Sequence, residues 1–146
     1  MSRRAEALLI RLARPEEREA LEGLMRRASL ALDEYRAELE AHSNAIHLPA
    51  EQIANGDVFV AERDGRVAGF AALVGGELDG LFVEPDLWRQ GIGAALVEEA
   101  VHQVRRVGLS LTVVANPSAR EFYQTCGFTV EGEEATRFGP AFRMSR

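Results

Sequence analysis

Residues 78–94, LDGLFVEPDLWRQGIGA, constrain the fold more than any other stretch of the chain. Residues 81–83 are apolar and β-prone, Pro85 ends the run, and Gly91 and Gly93 open an amphipathic helix. A strand that leads through a turn into a glycine-rich helix start points bare backbone N–H groups at one spot, and such a spot binds phosphate. The segment therefore predicts a sheet that positions helices and a phosphorylated ligand at the start of one of them.

Periodicity and turn residues predict the order β-α-α-β-β-β-α-β-α-β-β, a mixed sheet with helices packed on it. Asp64-Gly65 is the strongest hairpin dipeptide in the chain. The run LSLTVVA reads as a strand buried on both faces. The predicted strands are 8–13, 57–63, 66–74, 77–83, 109–115, 128–131 and 137–144. One helix is predicted to begin at Pro15, and three others to span 33–42, 91–107 and 116–126. Segment 43–56 is predicted to be irregular.

Composition narrows the class of protein. With 146 residues, the chain is expected to form a single domain over residues 1–146. A net charge of −6 argues against nucleic acid as the main partner. A single cysteine, Cys126, and the lack of an 18-residue apolar stretch predict a reducing, cytoplasmic setting and no membrane span.

The two commonest phosphate motifs do not fit the glycine pair. A P-loop requires Lys followed by Ser or Thr after its last glycine, whereas Ala94 follows Gly93 here. A dinucleotide fingerprint requires a third glycine three residues on, and position 96 is Leu. The glycine pair therefore matches neither motif, and a glycine-eased helix start without a ligand stays open as an alternative.

Asn116 and Tyr123 form a second constellation, two helical turns apart. Asn116 follows the predicted strand at 109–115, where its side chain can cap the next helix or reach a ligand amide. Tyr123 is either an aromatic anchor for that helix or a phenol that donates a proton to a leaving group.

These segments resemble the core of the GCN5-related N-acetyltransferase (GNAT) family. The matching stretches are LFVEP at 81–85, RQGIGAALV at 89–97 and ANPSAREFYQTCGF at 115–128. The family's pyrophosphate loop has the pattern Arg/Gln-x-x-Gly-x-Gly/Ala, and Trp88 departs from its first position. The resemblance implies an α/β fold of mixed α+β type. Its mostly antiparallel, twisted sheet of six or seven strands has helices on both faces and splays between strands 4 and 5.

The resemblance also implies an activity, the transfer of an acetyl group from acetyl-CoA to a primary amine of a small molecule or peptide by direct attack. The pantetheine arm would pair with the backbone of the fourth strand, and the pyrophosphate would lie on the amides at the helix start. A backbone N–H would polarise the thioester carbonyl. The residues so assigned to the donor are Leu81, Phe82, Val83, Arg89, Gln90, Gly91, Ile92, Gly93, Ala94 and Asn116.

The same resemblance suggests catalytic residues. Tyr123 matches the usual general acid, and Glu77 lies at the offset of the base in histone-type members, with Asp79 or water as alternatives. Period-two alternation would place Glu77, Asp79, Leu81 and Val83 on one strand face. The glutamate that some peptide-acetylating members carry on the fifth strand is absent, because position 111 is Leu.

The acceptor is expected to lie against residues between the first two helices, where Glu34 and Tyr35, with Asp79, are candidate contacts. His42 and His47 have no partner at metal-ligand spacing, so no metal is expected. A homodimer through the C-terminal strands is plausible by resemblance. Two other readings remain: a non-catalytic acyl-CoA-binding regulatory module on this fold, and an unrelated phosphate- or nucleotide-binding domain.

Overall fold

The computed structural model describes residues 8–31, 46–137 and 139–146, which contain a seven-stranded sheet. The strand order is β1-β2-β3-β4-β5-β7-β6. Neighbouring strands are antiparallel except β4 and β5, which are parallel. The strands are β1 (Leu8–Leu12), β2 (Val58–Arg63), β3 (Arg66–Val74), β4 (Glu77–Val83), β5 (Thr112–Ala115), β6 (Thr129–Thr136) and β7 (Gly139–Ser145).

The sheet splays between β4 and β5. The two strands pair only at their first residues, Glu77 with Thr112 and Leu78 with Val113. Beyond these positions β4 continues along β3 and β5 continues along β7. The expected mixed, mostly antiparallel sheet with a splay at this place is therefore confirmed.

Helices cover both faces of the sheet and divide the core in two. The helices are α1 (Arg18–Leu30), α2 (Ala50–Ala54), α3 (Ile92–Arg106) and α4 (Arg120–Thr125). Helices α1 and α2 pack with Val58, Val60 and Phe70 in one apolar cluster. Helix α3 packs with Leu73, Leu78, Val113 and others in a second cluster on the opposite face.

Several element boundaries differ from the sequence-based expectation. Segment 43–56 was expected to be irregular, but residues 50–54 form α2, anchored by the buried Ile53. Strand β5 begins only at Thr112, because Gly108 (φ 80°) ends α3 and Leu109 donates its N–H to the Val104 carbonyl. The predicted helix at 33–42 lies outside the described residues.

The expectation that β5 is buried on both faces is wrong. Its burial alternates, with Val113 and Ala115 buried and Thr112 and Val114 only half-buried. Val113 and Ala115 face the α3 core. Thr112 and Val114 lie on the other face, so this half of the sheet is partly accessible on the α1 side.

Candidate active site

A β-bulge in β4 sets the geometry of the site. Ala72 pairs with Gly80, but the next residue, Leu73, pairs with Leu78, so Asp79 is the extra residue. A bulge of this kind shifts the alternation of the strand by one position. An isolated glycine inside a strand pattern is a recognised sign of a bulge, so Gly80 was the signal available in the sequence.

Downstream of the bulge, the backbone of Leu81 and Val83 points away from β3. Glu84 donates its N–H to the Ala68 carbonyl at 2.9 Å, which makes Glu84 and Phe82 the residues that bond to β3. The N–H and C=O groups of the alternate residues then face the splay. This contradicts the expectation that Phe82 offers its backbone to a ligand, because its groups pair with Phe70.

The side chain of Phe82 confirms this division of the strand. Its ring lies 5.4 Å from that of Phe70, centroid to centroid, and packs on the α1 side of the sheet. Leu81 and Val83 pack against the α3 core instead. The open edge of β4 is thus defined by the backbone groups of Leu81 and Val83, and we refer to it below as the open edge.

The bulge also separates Glu77 from the face on which alternation had put it. Glu77 lies opposite Val74 and beside Thr112, whereas the neighbouring Leu78 lies opposite Leu73 in the α3 core. Because side chains directly opposite each other share a face, Glu77 is on the α1 side. The prediction that it shares a face with Leu81 and Val83 is wrong, since it ignored the bulge. Glu77 is half-buried at the closed end of the splay, where β4 and β5 still pair.

The start of α3 presents a loop of unpaired amides. Arg89 and Gly91 both adopt the left-handed conformation, with φ of 65° and 84°. The first N–H to bond within the helix is that of Ala95, at 3.0 Å from the Gly91 carbonyl. The N–H groups of residues 92–94 therefore have no intrahelical partner, and no side chain of the described chain caps them. Residues 89–94 thus form a turn and helix start suited to an anion, in which only the Ile92 side chain is buried.

The ring of Phe122 leaves little room for a side chain at position 93, the second glycine of the pair. A Cβ at position 93 would lie 3.2 Å from the Phe122 ring and 3.8 Å from a Val83 methyl. Gly93 therefore lets α3 approach both α4 and the end of β4. This close approach brings the helix start next to the open edge.

Arginines surround this loop. Arg63 donates to the Gln90 carboxamide oxygen at 2.8 Å, and Arg66 pairs with Asp86 at 3.1 Å. Arg89 is exposed on the loop itself. The chain is acidic overall, so this local group of arginines gives the helix start a charge favourable to an anion.

Trp88 bonds to the open edge. Its indole Nε1 donates to the Val83 carbonyl at 2.8 Å, and 39% of the side chain is exposed. Sequence reasoning treated position 88 only as a departure from the loop pattern and missed this bond. Nothing in local sequence predicts it, because it depends on where the turn at Pro85–Leu87 returns the chain.

An ion pair between the buried Glu84 and the exposed Arg27 fixes the end of β4. The Glu84 side chain is 8% exposed and accepts two bonds from Arg27, at 3.0 and 2.6 Å. Arg27 lies in the last turn of α1, so the pair attaches that helix to the strand end. The Glu84 carboxylate raises the pKa of Arg27, which keeps the guanidinium charged. Sequence reasoning did not single out either residue.

Asn116 and Tyr123 follow β5 on the α3 side of the splay. The Asn116 Oδ1 accepts from the Ala119 N–H at 2.9 Å, so this side chain caps the turn at Pro117–Ala119. Tyr123 is buried, and its ring packs edge to face against Phe122 and Phe128. Burial raises the pKa of the Tyr123 phenol, so the hydroxyl stays protonated at neutral pH.

The acceptor candidates are only partly described. Glu34 and Tyr35 lie outside the described residues, and Asp79 is the exposed bulge residue. Residues 8–31, 46–137 and 139–146 contain no group of three or more His, Cys, Asp or Glu arranged to hold a metal ion. Over the same residues, we find no helix with the length and apolar character needed to cross a membrane.

Comparisons with known proteins agree with this geometry. A family model described as "Acetyltransferase (GNAT) domain" matches residues 27–144. The chain is 37% identical over 130 residues to the peptidyl-lysine N-acetyltransferase YjaB of Salmonella typhimurium, covering 84% of each protein. It is 36% identical over 128 residues to YjaB of Escherichia coli, covering 84% of this chain and 83% of that protein.

Solved structures give the same fold. The solution structure of apo-form YjaB from Escherichia coli matches with a TM-score of 0.72 and 28% identity, covering 95% of this chain and 97% of the other. The crystal structure of the PaiA N-acetyltransferase from Thermoplasma acidophilum in complex with coenzyme A has a TM-score of 0.75 and 21% identity. It covers 96% of this chain and 98% of that protein.

Proposed function

Because the chain belongs to the GNAT family and is an acyl-CoA-dependent N-acetyltransferase, we propose that it acetylates the ε-amine of lysine in a peptide or protein. The two YjaB relatives are named for this reaction, and they match most of the chain. We also propose that residues 1–146 act as one catalytic domain. The observation that carries the proposal is the open edge beside an uncapped helix start, a combination that fits both ends of a coenzyme A thioester.

The donor fits the described residues as follows. The outward groups of Leu81 and Val83 would pair with the amides of the pantetheine arm as an added strand would. The amides of residues 89–94 would hold the pyrophosphate, with Arg89 as an added cation. Acetyl-CoA supplies the acyl group as a thioester, and an outward N–H of the open edge would polarise its carbonyl.

The two catalytic candidates lie on opposite sides of the splay. Glu77 is on the α1 side at the closed end of the splay, and Tyr123 is on the α3 side among apolar residues. This arrangement supports a division of labour, in which Glu77 takes a proton from the incoming ammonium and Tyr123 donates one to the departing sulfur. Asp79, which is exposed beside Glu77, is the alternative base.

A base matters because a lysine amine is protonated at neutral pH. With an ordinary pKa near 10.4, deprotonation at pH 7 costs about 4–5 kcal/mol. The free amine then forms a bond to the acyl carbon, the carbon–sulfur bond breaks, and the coenzyme leaves as a thiol. The nitrogen loses its second proton as the amide forms, and this proton restores the phenol that Tyr123 gave up to the sulfur. The proton taken by Glu77 is released to solvent, so ammonium and thioester yield amide, thiol and one proton.

The acceptor would approach over the α1-side face of β5. Thr112 and Val114 are half-buried there, so part of each side chain is accessible. A segment of peptide can reach this face in an extended conformation, whereas the other face is filled by α3. This accessibility supports a peptide or protein acceptor.

The experiment is acetylation of matched peptides with acetyl-CoA, followed by mass spectrometry and thiol release. One peptide carries a single internal lysine and a blocked N-terminus, and its partner carries a free α-amine and no lysine. We expect acetyl-lysine on the first peptide and a much slower reaction on the second. Transfer to the α-amine alone, or to small polyamines alone, would contradict the lysine assignment while leaving the acetyltransferase activity in place.

A further inference from the structure

We propose that Trp88 is a positioning residue of the donor site, which holds the open edge and the helix start at a fixed separation. The inference rests on the acetyl-CoA site proposed above. It starts from the bond between the Trp88 indole Nε1 and the Val83 carbonyl, 2.8 Å long. That carbonyl is one of the backbone groups that point into the splay.

The bond leaves a defined set of groups for a ligand. Leu81 and Val83 each present one N–H and one C=O away from β3. The indole uses one of the two lone pairs of the Val83 carbonyl, so both groups of Leu81, the N–H of Val83 and the second lone pair stay open to the pantetheine arm. The bond therefore does not change which groups of the open edge a ligand can use.

The bond also closes the chain between the two halves of the site. The turn between β4 and the helix start begins at Glu84, which is fixed by its bonds to Ala68 and to Arg27. Leu87 and Trp88 then donate their N–H groups to Glu84 and Pro85 within a tight turn. The loop of residues 89–94 begins immediately after Trp88, so the indole bond joins the last residue of β4 to the first residue before the amides.

A ligand that binds at two points gains affinity when the two points are held at the right distance beforehand. Without the indole bond, the turn at Pro85–Leu87 must be ordered by the ligand itself. Removal of the indole bond should therefore lower the affinity for ligands that contact both the open edge and the helix start. A ligand that contacts only the open edge should not be affected.

The test compares Trp88→Phe, which keeps a ring without a donor, with Trp88→Gln, which keeps an N–H donor without a ring. We expect Trp88→Phe to raise KM for acetyl-CoA about threefold to tenfold, the range for one lost neutral hydrogen bond. Its kcat should stay within about twofold, because no reacting atom is touched. KM for acetyl-pantetheine, which lacks the nucleotide, should stay unchanged, and Trp88→Gln should lie closer to the unmodified protein than Trp88→Phe does.

Equal changes in KM for acetyl-CoA and acetyl-pantetheine would overturn the proposal, as would a Trp88→Gln protein no better than Trp88→Phe. Circular dichroism and thermal unfolding check that both variants are folded. The fluorescence of Trp88 can also be followed in the unmodified protein, because the chain contains a single tryptophan. Coenzyme A should shift the emission of the partly exposed indole, and calorimetric binding without any emission change would contradict the placement.

If the proposed acetyltransferase function is wrong, the same experiments give a different result. In that case calorimetry detects no binding of coenzyme A to the unmodified protein and no thiol is released with any acceptor. If coenzyme A binds the unmodified protein and Trp88→Phe equally well, the acetyl-CoA site stands and only the role of Trp88 is refuted.

Discussion

Replacing Gly91 by alanine tests whether the backbone conformation of the helix start serves the donor. Gly91 has φ of 84°, and a Cβ built on it meets no atom within 4 Å. The substitution therefore adds strain without a clash. For an L-residue in the left-handed region, the strain is about 1–2 kcal/mol. In a domain of this size, such a loss lowers Tm by roughly 3–6 °C.

Gly108→Ala is the matched control, because Gly108 lies at the other end of the same helix. It has φ of 80°, and its Cβ likewise meets no atom within 4 Å. Each substitution therefore introduces the same strain of about 1–2 kcal/mol. Only Gly91→Ala alters the loop of residues 89–94. Strain that the free protein keeps there lowers Tm, whereas strain that it relaxes turns the amides away from their common target and must be restored on binding, which raises Kd.

The assay is thermal unfolding of both variants, with calorimetric titration of coenzyme A. If binding must restore the strained conformation in full, Gly91→Ala raises Kd by about fivefold to thirtyfold, the equivalent of 1–2 kcal/mol. Gly108→Ala should leave Kd within about twofold. Equal effects of the two variants on Kd, or no effect of Gly91→Ala on either quantity, would refute the assignment of the helix start to the pyrophosphate.

Three further predictions concern side chains. Tyr123→Phe should lower kcat by about 10²-fold, the lower range for loss of a general acid, and leave the affinity for coenzyme A and the thermal stability nearly unchanged. Unchanged turnover with a good peptide would remove Tyr123 from the mechanism. Glu77→Gln should also lower kcat at pH 7 by about 10²-fold, and a pH–rate profile should show the gap narrowing as pH approaches the amine pKa, near 10.4. A gap that stays constant with pH would speak against a base. The bond from Arg11 lowers the pKa of Glu17, so its contribution is present above the ordinary value of 4.5 and is lost as pH falls through the folded-state pKa. Denaturant titration should find Glu17→Gln about 1–2 kcal/mol less stable at pH 7, with the difference shrinking in acid, and a difference independent of pH would contradict this.

The sequence predicted the fold well wherever a local rule decides it. The hairpin at Asp64-Gly65, the helix start at Gly91 and the helix end at Gly108 all follow from backbone preferences of one or two residues. The splay between strands 4 and 5 came from resemblance to a family, and the pairing of β4 with β5 at only two positions agrees with it.

The errors arose where tertiary pairing overrides a local pattern. Alternation placed Glu77 on the face of Leu81, but the bulge at Asp79 reverses the alternation between them. The same pairing directs the backbone of Phe82 into the sheet. An extended run such as LSLTVVA predicts a strand, but the sequence does not reveal which of its faces a helix will cover.

Other features of the site depend on contacts between distant residues. The ion pair of Arg27 with Glu84 joins residues 57 positions apart, so neither side chain was distinguishable from a solvated charge in the sequence. The bond from Trp88 to Val83 depends on the path of the intervening turn. The ion pair and the indole bond both lie beside the donor site. There the local sequence predicts the backbone conformation but not the side-chain contacts that hold the backbone in place.

Amide hydrogen exchange at β4, with and without coenzyme A, tests the open edge most directly. The N–H groups of Leu81 and Val83 point into the splay, while that of Phe82 is bonded to β3 and serves as an internal reference. Saturating coenzyme A should slow exchange at Leu81 and Val83 by tenfold or more relative to any change at Phe82. Unchanged exchange at both residues, in a sample that calorimetry shows to be saturated, would contradict the claim that this edge binds the donor.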